Sequence, residues 1–199
     1  MPSLQFNQQT IFTQGDQVST LYKLTQGSVT LLNQEIPIVQ VQAPYYLNLL
    51  EHIYGVPALK TVRAYDKCLI QKIRKPTETH KAALRTWKEK GFRKSKFQIF
   101  EELHAALFYE LLRYGTIVEI SKQNSLPALQ DQIYLVADGT LEASGGHPTL
   151  RYLSLASGET IVASNPHTYL HAVSERAILM AIPISTAKVL LGDQFNTIE

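Results

Sequence analysis

Short apolar runs separated by polar turn residues occupy most of this chain, and they predict β-strands. Residues 21–24 and 29–32 are two such runs, rich in β-forming side chains. Residues 25–28 separate them, and Gly27 suits the positive φ that a tight turn requires. The pattern therefore predicts a β-hairpin near the start of the chain.

Further runs of the same kind follow as far as residue 73. Residues 36–41, 61–64 and 68–73 have the pattern of strands. Between residues 45 and 54 the apolar side chains recur at helical spacing, so a short helix that Gly55 ends is expected there. Strands around one short helix favour a small jelly-roll β-barrel.

The middle of the chain has the pattern of helices. Thr77 or Thr79 is a suitable N-cap for a first helix, and Gly91 is a suitable end. Residues 95–98 form a capping-box pattern, which predicts that a second helix begins there and runs towards Gly115.

The early pattern returns 112 residues later. The repeated positions are Tyr22 and Tyr134, Leu24 and Val136, Gly27 and Gly139, and Val29 and Leu141. The stretch ending at Ile182 is similar to the last strands of the first copy, and residues 185–191 predict a short terminal helix before Gly192. This repeat predicts three parts: a first β-roll (1–75), a helical connector (76–115) and a second, shortened β-roll with its helix (116–199).

Composition narrows the class of protein only slightly. The chain has 199 residues, 45% of them apolar, and a net charge of +2, which allows a substantial core and implies no particular partner. Cys68 is the only cysteine, so no internal disulfide can form and a reducing cytoplasm is the expected compartment. No apolar run approaches the roughly 20 residues of a membrane span.

The first copy resembles the cyclic-nucleotide-binding domain of catabolite activator proteins and kinase regulatory subunits. The residues that carry this resemblance are Phe12, Gly15, Asp16, Leu21, Tyr22, Leu24, Gly27 and Val29, followed by Val62, Arg63, Ala64 and Cys68. The resemblance implies a mainly β protein, with two degenerate double-stranded β-helix (jelly-roll) domains in tandem joined by helices.

The resemblance also implies where a nucleotide would bind. In the family, a Gly-Glu pair opens a phosphate cassette and an Arg followed by a small residue closes it. Here those positions fall on Leu47, Asn48, Ala58 and Leu59, and all four depart from the pattern. Without the arginine, a buried phosphate lacks a partner that would contribute roughly 1.5–3 kcal/mol. In the second copy residues 164–170 are too few for a cassette, so neither cAMP nor cGMP is expected to bind.

A basic segment is the other candidate for binding. Residues 72–96 hold ten Lys and Arg side chains. Six of them form the expected partner-binding or anion-binding face: Arg85, Lys88, Lys90, Arg93, Lys94 and Lys96. Interleaved Trp87, Phe92 and Phe97 suit phosphate contact with stacking, or a membrane surface. The alternative is a solvated helix face whose aromatic side chains pack on the adjoining roll. Nucleic acid, an anionic second messenger and an acidic protein all remain open as partners.

Catalytic chemistry is disfavoured. His167 and His171 lie four residues apart, but no third metal ligand is evident, and Cys68 falls on a strand of the core. No glycine-rich phosphate loop is present. We therefore expect no enzyme activity, metal or cofactor.

Three hypotheses follow. The first is a non-enzymatic regulatory or scaffold protein that binds another protein or a ligand other than cAMP, with a homodimer through the connector helix left open. The second is a ligand-sensing regulator of the catabolite activator type, without its own DNA-binding domain because only 17 residues follow Ile182. The third is a cupin-like metalloenzyme, which would need paired histidines that neither hairpin has.

Overall fold

The computed structural model describes residues 3–73, 81–145, 153–163 and 167–197. Its contacts divide the chain into one unit of Met1–Ala82 with Ala105–Leu107 and a second of Ala83–His104 with Phe108–Glu199. The basic helical segment thus groups with the second unit. The domain limits expected at residues 75 and 115 stay a prediction.

In its described residues the first unit has eight strands, which form the first roll. They are β1 (Ser3–Phe6), β2 (Thr10–Phe12), β3 (Leu21–Gln26), β4 (Ser28–Asn33), β5 (Ile36–Gln42), β6 (Tyr45–Tyr46), β7 (Thr61–Ala64) and β8 (Cys68–Ile73). The strand orders of the two antiparallel sheets are β1-β8-β3-β6 and β2-β7-β4-β5. Helix α1 (Leu49–Tyr54) connects β6 to β7. The helix expected from residue 45 begins later because Tyr45 and Tyr46 pair with β3.

The second roll repeats this topology in the described part of the second unit. Its strands are β9 (Thr116–Ser121), β10 (Ser125–Pro127), β11 (Gln132–Asp138), β12 (Leu141–Ser144), β13 (Leu153–Leu155), β14 (Thr160–Ala163), β15 (Tyr169–Ala172) and β16 (Arg176–Pro183). The sheet orders are β9-β16-β11-β14 and β10-β15-β12-β13. Every strand occupies the place of the strand eight positions earlier. Tyr22 and Tyr134 lie in different sheets, so two rolls rather than one large barrel are confirmed.

The hydrophobic core of the second roll lies between its two sheets. Tyr134 and Leu179 contribute from one sheet, and Leu141 and Leu170 contribute from the other. All four side chains are buried. Within each of their strands the core residues are two positions apart, as the alternating side-chain directions of a strand require.

The other described helices lie between and after the two rolls in the sequence. They are α2 (Ala82–Glu89), 3-10 turns at Lys94–Lys96 and Gln98–Phe100, α3 (Ala105–Leu112), α4 (Ile184–Leu191) and a 3-10 helix at Gly192–Thr197. The expected caps Thr77 and Thr79 lie outside the described residues. Within the part of the chain that the structure describes, no helix is long and apolar enough to cross a membrane.

The second connector helix does not begin at the capping-box pattern of residues 95–98, and that prediction was wrong. Phe97 has an extended backbone, with φ −105° and ψ 94°, which separates two 3-10 turns. The Phe97 and Phe100 rings lie 5.9 and 5.4 Å from the Phe108 ring, measured between centroids. Burial of these aromatic rings overrides the local capping signal, and α3 starts only at Ala105.

The predicted hairpin between β3 and β4 is also wrong, although both strands are where they were expected. Strand β3 pairs with β6 and β8, whereas β4 pairs with β5 and β7. The chain crosses from one sheet to the other at Gly27. A tight hairpin does join β4 to β5, and there Gln34 and Glu35 have φ values of 47° and 68°.

Gly27 and Gly139 occupy equivalent crossings in the two rolls. Their φ values are 83° and 82°. A Cβ on Gly27 would lie 2.5 Å from the Lys67 carbonyl oxygen and 2.9 Å from the Cys68 Cα, and one on Gly139 would overlap the Arg176 carbonyl oxygen. The repeated glycine is therefore required by its backbone angle and by the close approach of the last strand.

Gly27→Ala is expected to destabilise the first roll by about 1–3 kcal/mol, because it adds a steric overlap to an unfavourable φ. Gly15→Ala is the matched control: its φ is 90°, but nothing lies within 4 Å of the added Cβ. The free energy of unfolding of Gly15→Ala should fall by only about 1 kcal/mol, because the unfavourable φ is the only cost. Urea denaturation of both variants checks the difference, and equal losses would contradict the role given to the close approach.

Candidate functional site

The connection between β6 and β7 is the expected nucleotide cassette of the first roll. Helix α1 ends at Gly55, whose φ of 64° is left-handed. The following loop is anchored through Ala58, which donates its N–H to the Asp16 carbonyl (2.9 Å) and accepts the Gly15 N–H (2.8 Å). Backbone hydrogen bonds therefore hold the loop that carries the expected phosphate position.

Leu47 and Asn48 stand where the family has its Gly-Glu pair, and both are buried. The Asn48 Oδ1 accepts the N–H of Tyr22, and its Nδ2 donates to the carbonyl of Thr20, both at 2.9 Å. The two ends of the amide are thus occupied by the backbone before and at the start of β3. Asn48 therefore holds the start of this strand in place.

Ala58 and Leu59 stand where the family has its phosphate arginine and the small residue after it. Ala58 is buried and Leu59 is half-buried. Neither side chain can donate a hydrogen bond, so these two positions supply no group for an anion.

Sequence reasoning missed the charged pair in this connection. The Lys60 Nζ lies 2.8 Å from the Glu51 Oε1, and both side chains are 0% exposed. The same Oε1 accepts the Leu59 N–H at 3.3 Å. Among the described residues, the Glu51 Oε2 has no hydrogen-bond partner. The only signal in the sequence was a charged residue in each of two otherwise apolar segments, which does not reveal their pairing.

This pair determines the electrostatics of the cassette. The Glu51 carboxylate neutralises Lys60, so Lys60 brings no uncompensated positive charge into the connection. A buried phosphate requires such a charge or several donors, because its desolvation is otherwise unfavourable. The Glu51–Lys60 pair therefore leaves no uncompensated charge of its own in this connection.

The second roll has only residues 164–168 between β14 and β15, and residues 164–166 lie outside the described part. Before β14, the Glu159 carboxylate accepts the N–H of Ala156. Gly158 has a φ of 100°, and a Cβ there would lie 2.5 Å from the Lys96 carbonyl oxygen. Gly158 and Glu159 thus shape a loop of the roll.

Four of the six basic residues singled out in the sequence lie around one cavity of about 330 Å³, here named the basic cavity. Its lining consists of Lys88, Glu89, Lys90, Gly91, Arg93, Lys96, Asp138, Arg176 and Ile178. Arg85 and Lys94 lie outside it: Arg85 is 3.9 Å from Glu89, and the Lys94 Nζ donates to the Glu101 carbonyl (2.6 Å). Sequence reasoning missed Arg176, because it lies on β16, far along the chain from the basic segment, and only the fold brings it to the cavity.

Two lysines of the basic cavity are held by contacts within the second unit. Lys90 pairs with Glu119 at 2.6 Å, and this hydrogen bond lowers the pKa of the Glu119 carboxyl. The Lys96 Nζ donates to the Ala137 carbonyl (3.2 Å) and the Ser157 hydroxyl (3.4 Å). These contacts fix the two ammonium groups at the cavity.

The other three cations of the cavity have weaker contacts. The Lys88 Nζ lies 5.5 Å from the centre of the Tyr109 ring, and the Arg93 Nε donates to the Lys88 carbonyl at 3.4 Å. Arg176 lies 4.0 Å from Asp138, and both side chains are largely exposed. These three groups are the most available to an incoming anion.

The aromatic side chains of the basic segment pack inside the second unit. Phe92 and Phe97 are buried, and the Trp87 ring stacks on Tyr109 with centroids 6.3 Å apart. Burial also raises the pKa of the Tyr109 hydroxyl. The aromatic rings expected to stack on bases are thus largely used for packing.

The remaining candidates show ordinary structural roles. Cys68 is buried, and burial raises the pKa of its thiol, which makes it a poor nucleophile. The His171 Nε2 lies 2.9 Å from the Ser144 Oγ across two strands. No group of three His, Cys, Asp or Glu residues within the described ranges could hold a metal ion.

Comparison with known proteins gives matches in structure alone. No family model matches the chain, and no curated protein matches it in sequence. The regulatory domain of Toxoplasma gondii PKA with cAMP has a TM-score of 0.52 at 14% identity, covering 99% of this chain and 83% of that one. A regulatory subunit of a cAMP-independent protein kinase A from Trypanosoma brucei, in a triple mutant bound to cAMP, has a TM-score of 0.50 at 11% identity, covering 98% and 78%. At these identities the likeness concerns the fold: this chain has the cyclic-nucleotide-binding jelly-roll fold of kinase regulatory domains, with two rolls in tandem.

Proposed function

We propose that this chain is a non-enzymatic regulatory or scaffold protein that acts by binding a protein partner or a ligand other than cAMP or cGMP. Its fold is similar to that of kinase regulatory domains, which supports a regulatory role. Fold alone does not determine function, so the proposal depends on the first roll's cassette.

The buried Glu51–Lys60 pair is the observation that carries the proposal. A cyclic phosphate entering this segment would meet a carboxylate and the methyl group of Ala58. Lys60 could serve the phosphate only by leaving Glu51, whose charge would then be buried without compensation. The cassette therefore favours its own internal ion pair over an anionic nucleotide.

The Trypanosoma brucei subunit offers a parallel. Its cAMP-bound mutant has a glutamate changed to alanine and, seven and eight residues later, a threonine changed to arginine and a valine to alanine. In this chain Ala58 and Leu59 follow Glu51 at the same spacings. The parallel supports the view that a glutamate here, without the arginine, disfavours cAMP.

Calorimetric titration of the full chain with cAMP and with cGMP tests the proposal. We expect no binding tighter than roughly 1 mM, or about −4 kcal/mol. Micromolar affinity for either nucleotide would overturn it.

A variant designed to gain binding sharpens the test. Glu51→Ala with Ala58→Arg, Leu59→Ala and Lys60→Ala removes the ion pair and supplies the missing arginine. The matched control carries the same changes except Ala58→Arg. We expect the full variant to bind cAMP at least about tenfold more tightly than the control, because a charge-assisted hydrogen bond contributes roughly 1.5–3 kcal/mol. Equal affinities of the two folded variants would show that the cassette is not limited by this position.

A further inference from the structure

The basic cavity of the second unit has an excess of positive charge. Five cations line it against the two carboxylates of Glu89 and Asp138, which leaves an excess of three. The Glu119 carboxylate on Lys90 reduces the excess to two. Self-repulsion among clustered cations is unfavourable unless a counter-charge is bound.

The dipole of helix α2 explains only part of this cluster. Cations are favoured at the C-terminal end of a helix, where carbonyl groups are exposed. Lys88 is in the last turn of α2, and Arg93 donates to the Lys88 carbonyl, so these two positions suit the helix end. Arg176 belongs to β16, 83 residues beyond Arg93, and the helix does not account for it.

The segment that carries the cations is seated closely on the second roll. A Cβ on Gly91 would lie 2.6 Å from the Ala137 carbonyl oxygen, at the end of β11. The Lys96 ammonium donates to the same carbonyl. A segment held at these points has its charges placed before any ligand arrives, which lowers the entropic cost of binding.

We propose that the basic cavity binds a small anion that carries a phosphate monoester or diphosphate group. This inference rests on the proposed function and deepens it by naming the chemistry of a ligand. A phosphate monoester carries about −1.5 to −2 charges, close to the local excess. Arginine presents parallel N–H donors that match phosphate oxygens, and Arg93 and Arg176 both line the cavity.

The size and lining of the cavity favour a small molecule over a protein segment. A volume of about 330 Å³ lies at the lower end of the range of small-molecule sites, roughly 300–1,000 Å³. Ile178 is the one branched apolar side chain that the described lining contains. Peptide recognition usually requires buried aromatic or aliphatic anchors, and this lining offers little of that kind.

Titration of the full chain with inorganic pyrophosphate at low ionic strength tests the proposal. We expect saturable binding of one equivalent, with a Kd below roughly 1 mM. Arg93→Gln and Lys88→Gln should each weaken binding by about fivefold to tenfold, since each removes a charged donor near the surface. Arg93→Lys keeps the positive charge but lacks the parallel N–H donors, so it should weaken pyrophosphate binding less than Arg93→Gln does. Circular dichroism confirms that each variant is folded.

Two further variants separate a specific site from general attraction. Lys122→Gln removes one charge from the same unit, at a residue that pairs with Glu175 and does not line the cavity, and should leave the affinity unchanged. Asp138→Asn removes a competing carboxylate and should tighten binding by about twofold to fivefold. If the cations had a purely structural role, Asp138→Asn would not increase the affinity for pyrophosphate.

Several outcomes would overturn the inference. Absence of saturable pyrophosphate binding would do so, as would an equal loss of affinity in Lys122→Gln and Arg93→Gln. Tighter binding of an acidic or phosphoserine peptide than of pyrophosphate, through the same side chains, would assign the cavity to a protein partner instead. The cAMP titration is a separate measurement: tight cAMP binding would refute the proposed function, whereas failure of pyrophosphate alone would refute only this inference.

Discussion

Lys60→Met alone is expected to lower the free energy of unfolding of the first roll by about 3–5 kcal/mol. The Glu51 carboxylate would remain 0% exposed without its counter-charge, and its second oxygen already has no hydrogen-bond partner among the described residues. The Lys60 side chain is itself fully buried, so methionine occupies a similar volume and the loss of packing is small.

The double variant Glu51→Leu with Lys60→Met is the control for this prediction. Since it removes both charges together, it should be about as stable as the natural chain or more stable by up to about 4 kcal/mol. Urea denaturation monitored by hydrogen exchange of the β3 and β7 amides measures the stability of the first roll. Trp87 is the only tryptophan and belongs to the second unit, so its fluorescence provides an internal reference. Equal losses in the single and double variants would show that packing, not charge, is responsible.

Phe108→Ala is expected to destabilise the second unit by about 3–5 kcal/mol, the usual cost of removing a buried aromatic ring. Phe108 is 0% exposed, and its ring lies 5.1 Å from the Tyr109 ring, in addition to its contacts with Phe97 and Phe100. This cluster includes Phe97, which directly follows Lys96, and Phe100, which ends the second 3-10 turn. The same variant should therefore bind pyrophosphate more weakly than the natural chain.

Trp87 reports directly on this second prediction, because its ring stacks on Tyr109. Urea denaturation monitored by Trp87 fluorescence should show the full decrease in the free energy of unfolding for Phe108→Ala. The leucine of Phe108→Leu fills most of the space left by the ring, so the decrease in the free energy of unfolding should be no more than about half of that in Phe108→Ala. A loss below about 1 kcal/mol for Phe108→Ala would mean that the aromatic cluster does not stabilise the unit.

The two proposals together describe a protein in which the two rolls have diverged. The first roll keeps the short helix of a nucleotide cassette but neutralises the segment with an internal ion pair. The second roll has a much shorter connection at the equivalent place. Under these proposals, anion recognition would use the basic cavity beside the second roll rather than either cassette.

The sequence by itself located five of the eight described strands of the first roll. Residues 61–64 and 68–73 were predicted as strands, and β7 and β8 have these bounds. The 112-residue repeat correctly related Gly27 to Gly139, which occupy the same crossing in the two rolls. These features are local: alternation of apolar side chains and a glycine at a positive φ depend on neighbours along the chain.

Tertiary structure alone decided which strands pair and which charges meet. Two neighbouring runs of β-forming residues are equally compatible with a hairpin and with strands in two different sheets, so the pattern could not distinguish these arrangements. The capping-box pattern at residues 95–98 did not start a helix, because Phe97 is buried against Phe108 and its backbone is extended. Folding brings Glu51 and Lys60 together in the interior, where each compensates the charge of the other, and the basic cavity is complete only when β16 brings Arg176 to it. Burial and desolvation depend on contacts between residues far apart in sequence, and a single sequence does not contain those distances.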